Sequence, residues 1–341
     1  MLSRTEQNSI IGVDVGSTSV KVVELEGSRG SYQLTAAALA PVPPQASPPS
    51  YQRALATALE TAHVEGRRAV TSLSGGHVAV RSFKFPKLSA GEIEGAVWYE
   101  GSQVIAFDIE DSYVDYTVFS PAPDADGSEM PVLFVAAMKP HVDDLTGLLS
   151  GVGLEPRVVS VDALALLEAV KQQDDATETP CVVHIGATKT SIGAARGEEL
   201  PFVRDIDVAG NAYTNAVAEA LGVTPEQAEE VKRRDLRHDQ TAMLAVENVT
   251  RRLVGELARS LVYYQTRGDG KHVDTIFLCG GSSRVPGLDE AISRATSVPV
   301  ALWSPLDCVD IDPSKFDRTG LDRMKPYLSL AAALAMQSEN C

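Results

Sequence analysis

The stretch Ile11–Val20, IGVDVGSTSV, decides the fold, because the chain writes it again as CVVHIGATKT over Cys181–Thr190. In each copy an apolar run ends at a glycine, small or hydroxyl-bearing residues follow, and a second β-branched run begins. Gly16 aligns with Gly186 and Thr18 with Thr188. A further strand-like segment follows each pair, Tyr32–Ala40 after the first and Pro201–Asp207 after the second. One supersecondary unit repeated this far apart predicts two lobes of similar design.

Outward from the repeat, strand-like runs alternate with helical ones. Helices are predicted at Tyr51–Ala62, Ala90–Gln103, Pro140–Ser150, Asp162–Gln173, Ala209–Leu221, Thr224–Arg234, Thr241–Gln265, Gly287–Ala295 and Tyr327–Gln337. Thr224–Pro225–Glu226–Gln227 is a helix start, with a hydroxyl cap, proline at the first helical position and Gln at the third. Pro121–Pro131 lies between two alternating runs and reads as a hairpin tip. Asp174–Pro180 has linker composition, and Asp310–Arg323 is polar and irregular. Hairpins mixed with crossovers argue an α/β chain with mixed sheets.

The 341 residues hold 46 Asp and Glu against 30 Lys and Arg, a formal net charge of −16. Such a surface repels nucleic-acid phosphates and anionic lipid, so neither is expected as a partner. The basic run Lys232–Arg234, continued by Arg237, is interleaved with Glu229, Glu230 and Asp235 and reads as a solvated helix face. Apolar windows are strand-sized, so no transmembrane segment is expected. The N-terminus MLSRTEQNSI has no basic leader with an apolar core, so no secretory signal is expected. The cysteines 181, 279, 308 and 341 match no zinc or Cys-x-x-Cys spacing. Cys181 and Cys279 fall in apolar runs and are expected buried, and the usage fits a cytoplasmic protein.

The turn after the first strand, Asp14–Lys21, suits phosphate. Gly16 lets backbone N–H groups approach an anion closely. Ser17, Thr18 and Ser19 add hydroxyl donors and Lys21 a positive charge. Asp14 is placed to hold the water shell of Mg²⁺, a cation that keeps several of its waters. Taken alone, the same residues also fit a plain hairpin with a solvent-facing Asp. The second turn offers Gly186, Ala187, Thr188 and Lys189 from the other copy. A third motif, IFLCGGSSRVPGL over Ile276–Leu288, ends a strand in Gly280 and Gly281 and continues through Ser282 and Arg284 into a helix. Paired glycines let a flat base and a ribose lie against bare backbone.

In this order the motifs resemble the phosphate-1, phosphate-2 and adenosine motifs of the actin/FtsA superfamily. The resemblance implies two RNase H-like, actin-type lobes around a nucleotide cleft holding ATP and Mg²⁺. ELPFVRDIDVAG (Glu199–Gly210) and AVAEALGVTPEQAEEVK (Ala216–Lys232) resemble the PilM family of type IV pilus assembly proteins. Val80–Phe119 and Leu133–Leu166 are similar to the small inserted subdomain shared by PilM and FtsA, and Tyr327–Met336 to the family's terminal helix. The boundaries implied are 1–80 for the first lobe, 81–160 for the insertion, 161–178 for the connecting helix, 179–326 for the second lobe and 327–341 for the terminal helix.

The resemblance also implies roles. Glu229 and Lys232 match a Glu-x-x-Lys contact to adenine and ribose, and Gly210 matches the second glycine of a pair near the phosphates. The implied partner is the N-terminal peptide of a PilN-like inner-membrane protein, with other pilus assembly proteins beyond it. The chain would then be cytoplasmic and held at the inner membrane through partners. Two positions depart from the pattern. His184 stands where the family has Asp, and Ala209 where it has Gly, the latter expected to narrow the approach to the phosphates. An imidazole does not replace a carboxylate in a Mg²⁺ water shell, so slow or absent ATP hydrolysis is expected. An FtsA-like polymerising division protein and a small-molecule kinase of the same superfamily are the other readings. The first would need a basic amphipathic C-terminus, which LSLAAALAMQSENC does not provide. The second would need a mid-chain substrate motif.

Overall fold

The computed structural model of the chain describes residues 9–120, 128–172, 177–233, 239–267 and 272–337. Part of the expected hairpin tip (121–127), part of the expected linker (174–176), Arg234 and Arg237 of the basic run, and Cys341 lie outside them.

The repeat becomes two sheets of one plan. β1 (Ser9–Val15), β2 (Ser19–Ser28) and β3 (Ser31–Pro41) form an antiparallel meander. β4 (Arg68–Leu73) and β8 (Glu155–Val161) extend it on the β1 side, both parallel, in the order β3-β2-β1-β4-β8. In the second sheet β9 (Pro180–Ile185), β10 (Thr190–Ala194) and β11 (Phe202–Ile206) repeat the meander. β12 (Thr275–Cys279) and β13 (Val300–Leu302) add in parallel, giving β11-β10-β9-β12-β13. β9 and β10 are buried along their whole length, as expected of central strands covered on both faces.

Between β4 and β8 the chain leaves the first sheet. β5 (Val78–Pro86), β6 (Ser112–Val118) and β7 (Glu129–Met138) make a separate three-stranded antiparallel sheet in the order β5-β7-β6. Helix α2 (Ala90–Val104) packs on it through Ile93 and Val97, which join Phe85, Val132 and Phe134 in a small core. The chain returns through α3 (Lys139–Ser150) to β8. The segment 81–160 expected as an insertion thus carries most of β8, a strand of the first sheet, at its end.

Two helices join the lobes. α4 (Asp162–Lys171) packs against β9 and β10, and the terminal helix α9 (Arg318–Ala335) against β1 and β2. The contacts are backbone-close: Cβ atoms built at Gly12 and Gly193 would fall 1.8 Å from the Ala331 carbonyl oxygen and 2.8 Å from that of Ala163. α4 and α9 also touch each other, within a shared core that includes Leu166, Val170, Leu328 and Leu334.

The expectation of irregular chain over Asp310–Arg323 holds as far as Asp317 and needs correction from Arg318 on. α9 begins at Arg318, where the Asp317 carboxylate accepts from the amides of Thr319 and Gly320. Pro326 lies inside the helix, although it removes one helical hydrogen bond. Leu328 and Leu330–Ala335 beyond it are buried, and that packing holds the helix through the proline. Elsewhere the local signals hold. Thr224 Oγ1 accepts from the Gln227 amide while Gln227 Oε1 accepts from the Thr224 amide, capping α6 (Pro225–Arg233). Cys181 and Cys279 are buried and free.

Candidate functional site

The two glycine turns close in the same way. The Gly16 amide donates to the Ser19 carbonyl at 3.1 Å, and the Gly186 amide to the Lys189 carbonyl at 3.0 Å. Four-residue turns closed like this leave their tips outward. Ser17, Thr18 and Thr188 are exposed, whereas Ser19 is buried at the foot of its strand. In the first turn Lys21 lies beside Asp14, Nζ to Oδ2 3.0 Å, with both side chains about nine-tenths buried. The ammonium stands directly against Gly16, where an added Cβ would meet it at 2.6 Å.

The second lobe stacks three further expected elements on its turn. The Gly210 amide, at the start of α5 (Gly210–Leu221), donates to the Gly186 carbonyl at 3.0 Å, and Asn211 to Ala187 at 2.7 Å. The Ser282 amide donates to the Ile185 carbonyl at 3.1 Å. A Cβ at Gly210 would fall 2.4 Å from Ser282 Oγ, and one at Gly280 2.5 Å from the Ile185 carbonyl oxygen. Lys232 pairs with Glu229 and donates to Thr214 Oγ1 at 3.0 Å, while Thr214 donates to Glu229 Oε2 at 2.7 Å. Gly186, Gly210, Glu229, Lys232 and Gly280–Ser282 therefore form one connected cluster. Gly281 adds a floor at the ring of Tyr327 from α9. Arg284 is exposed, outside these contacts.

The structure adds two carboxylates that motif reading missed. His184, Ser191 and Asp205 are directly paired across β9, β10 and β11, so their side chains share one sheet face. Ser191 Oγ donates to Asp205 Oδ1 at 2.7 Å. Asp205 Oδ2 accepts from the Gly75 amide of the first lobe at 2.6 Å. Asp162, the first residue of α4, accepts from Ser72 Oγ at 2.6 Å. Burial raises its carboxyl to about 6, the Ser72 hydrogen bond opposes the rise, and Asp14 and Asp205 add to it. These charges reach one another across the cleft, since Asp14, Lys21 and Asp205 all act on His184. Asp162 did carry a sequence signal: an acid at the carboxyl end of a strand, opening a helix, lies where open α/β sheets place ligand contacts.

Both departures now have a geometry. His184 is buried, packed beside Gly280, and desolvation pulls its imidazole down to about 4, so it is neutral at pH 7. Ala209 corrects an expectation. It is 2% exposed within the core of the second lobe, so its methyl packs inward and does not narrow the approach to the turn. Lys189 reaches sideways to pair with Asp207, its stem lying against Gly75.

The cradle fits a nucleotide: two glycine turns with outward tips, glycines where any Cβ would collide, and a Thr–Glu–Lys triad at one end. Among the described residues no group of three or more His, Cys, Asp or Glu that could hold a metal ion occurs.

A family model described as type IV pilus assembly protein PilM matches residues 12–339. Among solved structures, a PilM–PilN type IV pilus biogenesis complex superposes with a TM-score of 0.84 at 28% identity, covering 96% of this chain and 99% of that one. The ethanolamine utilization protein EutJ from Carboxydothermus hydrogenoformans matches at TM-score 0.58 and 16% identity, over 96% and 89% of the two chains. MreB 5 of Spiroplasma citri, solved bound to AMPPNP, matches at TM-score 0.51 and 12% identity, over 94% and 98%. The last two likenesses concern the fold, which is that of the actin-like ATPases. No helix among the described residues is long and apolar enough to cross a membrane.

Proposed function

The chain belongs to the PilM family of type IV pilus assembly proteins, and from that premise we propose that it is a cytoplasmic, ATP-binding scaffold that holds a PilN-like N-terminal peptide at the inner membrane. The observation that carries the nucleotide half is the pair of turns closed by matching bonds, Gly16 to Ser19 and Gly186 to Lys189, with the charges of Asp14 and Lys21 beside the first acting on His184 beside the second. The turn amides that follow Gly16 and Gly186 hold the phosphates from opposite lobes, with Lys21 supplying positive charge. Gly210, Glu229, Lys232 and Gly280–Ser282 receive the ribose and base. Asp14 would hold the water shell of Mg²⁺, which when bound would neutralise phosphate charge. The partner half rests on the 28% identical match to a PilM–PilN complex over nearly the whole chain.

The cleft is built to bind rather than to turn over. The other carboxylates facing it already have protein partners: Asp205 has Ser191 and Gly75, and Asp162 has Ser72. The sheet position opposite Asp14 carries a neutral imidazole. Bound nucleotide then stabilises the closed arrangement by mass action. Calorimetry with the N-terminal peptide of a PilN-like protein, with and without ATP-Mg, tests the proposal. Binding of both ligands supports it, and no peptide binding in either state refutes the scaffold role. A steady-state phosphate-release assay showing turnover of about 1 s⁻¹, the lower end of ordinary enzyme rates, would refute the non-hydrolytic reading.

A further inference from the structure

Asp205 does more than line a cleft. It belongs to the second lobe, yet its Oδ2 holds an amide of the first, that of Gly75, at 2.6 Å. A charged acceptor on a backbone donor is among the stronger hydrogen bonds available to a protein. Ser191, 1% exposed, fixes the other oxygen, so the carboxylate has one orientation. Gly75 has φ +77°, a backbone that L side chains rarely adopt, and an added Cβ there would press on Lys189 Cε at 3.1 Å. The contact is therefore a fitted one, with the phosphate-2 turn on one side and β11 on the other.

What Gly75 leads to gives the contact its meaning. Two residues on, His77 stacks on His141 with ring centroids 3.6 Å apart and planes 19° from parallel. His77 directly precedes β5, by which the chain enters the inserted subdomain, and His141 lies in the first turn of α3, just after β7, by which it leaves. The stack thus ties the two stalks of the inserted subdomain together, and Asp205 ties that knot to the second lobe. Both imidazoles and Lys189 meet there.

We propose that Asp205 is a positioning residue, an interlobe latch on Gly75 that couples the nucleotide cleft to the orientation of the inserted subdomain. Its regulatory consequence rests on the reading of this protein as a scaffold that binds both ATP and a peptide. Nucleotide gripped by the second turn then changes the peptide's affinity, and by reciprocity the peptide changes the nucleotide's affinity by the same factor.

Two readouts on the full chain separate the latch from the reading beneath it. Hydrogen exchange without any ligand reports the contact itself. In Asp205→Ala the amides of residues 75–78 exchange at least about tenfold faster than in the parent, while those of β1 and β9 keep their rates. Ser191→Ala, which leaves the carboxylate but frees it, gives a smaller increase in the same segment. Unchanged exchange at 75–78 overturns the latch. Calorimetry then reports the coupling. The parent's peptide Kd differs by about fivefold or more between ATP-Mg and nucleotide-free protein, and in Asp205→Ala the ratio falls to within about twofold of one. An intact ratio in the variant overturns the linkage even if exchange has risen. Failure of the parent to bind either ligand refutes the scaffold reading instead, and the exchange result alone then decides whether Asp205 latches the lobes.

Discussion

Replacing Asp162 by Asn should make the protein more stable at neutral pH, although it removes a hydrogen-bonded carboxylate. The carboxyl is raised from 3.8 to about 6, chiefly because its charged form is desolvated at the head of α4. The folded state therefore binds a proton more tightly than the unfolded state. The favourable contribution is complete below about pH 4 and is lost as pH rises through about 6. A tenfold change in an ionisation constant is about 1.4 kcal/mol, so the whole difference amounts to about 3 kcal/mol at pH 7. Asp162 is only part-buried at an open cleft, and water there reduces the effect to about 1–2 kcal/mol. An Asn amide oxygen can still accept from Ser72 and never has to be ionised. Urea unfolding of parent and Asp162→Asn at pH 4 and pH 7.5 measures the term directly. The variant should gain about 1–2 kcal/mol relative to the parent between the two pH values. An equal stability difference at both pH values, or a gain at pH 4 that vanishes at 7.5, would refute the assignment of a destabilising buried charge.

Four further substitutions probe other parts of the structure. Gly210→Val forces the start of α5 away from the second turn, since even a Cβ would stand 2.4 Å from Ser282 Oγ. It should abolish the rise in melting temperature that ATP-Mg gives the parent, read by differential scanning fluorimetry. Lys232→Ala removes the cation of the Thr214–Glu229 triad and should weaken ATP by about 10- to 100-fold in calorimetry, the range of one hydrogen bond to a charged group. Gly12→Ala and Gly95→Ala should have opposite signs in urea unfolding. The first drives a methyl into the Ala331 carbonyl of α9 and should cost about 3 kcal/mol. The second meets nothing within 4 Å in α2 and should gain about 0.5–1 kcal/mol from helix propensity.

The parts of the fold visible in the sequence were those written locally. Gly16 and Gly186 recur with the same flanking pattern, so the matched turns and the doubled sheet followed from spacing. Thr224–Gln227 announced its own cap. What escaped depends on pairing across strands. Asp205 looks like an ordinary polar residue of a short strand until the register sets it in line with Ser191 and His184. Its hold on Gly75 joins residues 130 positions apart. Ala209 could be read as an obstacle because sequence does not say which way a methyl points, and here it points into the core. The terminal helix was expected from Tyr327, yet it begins at Arg318 and runs through Pro326, because burial of the helix beyond the proline outweighs one missing hydrogen bond.

The claim beneath all of this is that a single triphosphate is gripped by two lobes at once. Hydrogen exchange of the full chain with and without AMPPNP-Mg tests it most directly. Residues 15–19, 186–190 and 280–282 should be protected simultaneously. Protection confined to one of the two turns, or absent from both at saturating nucleotide, would contradict it.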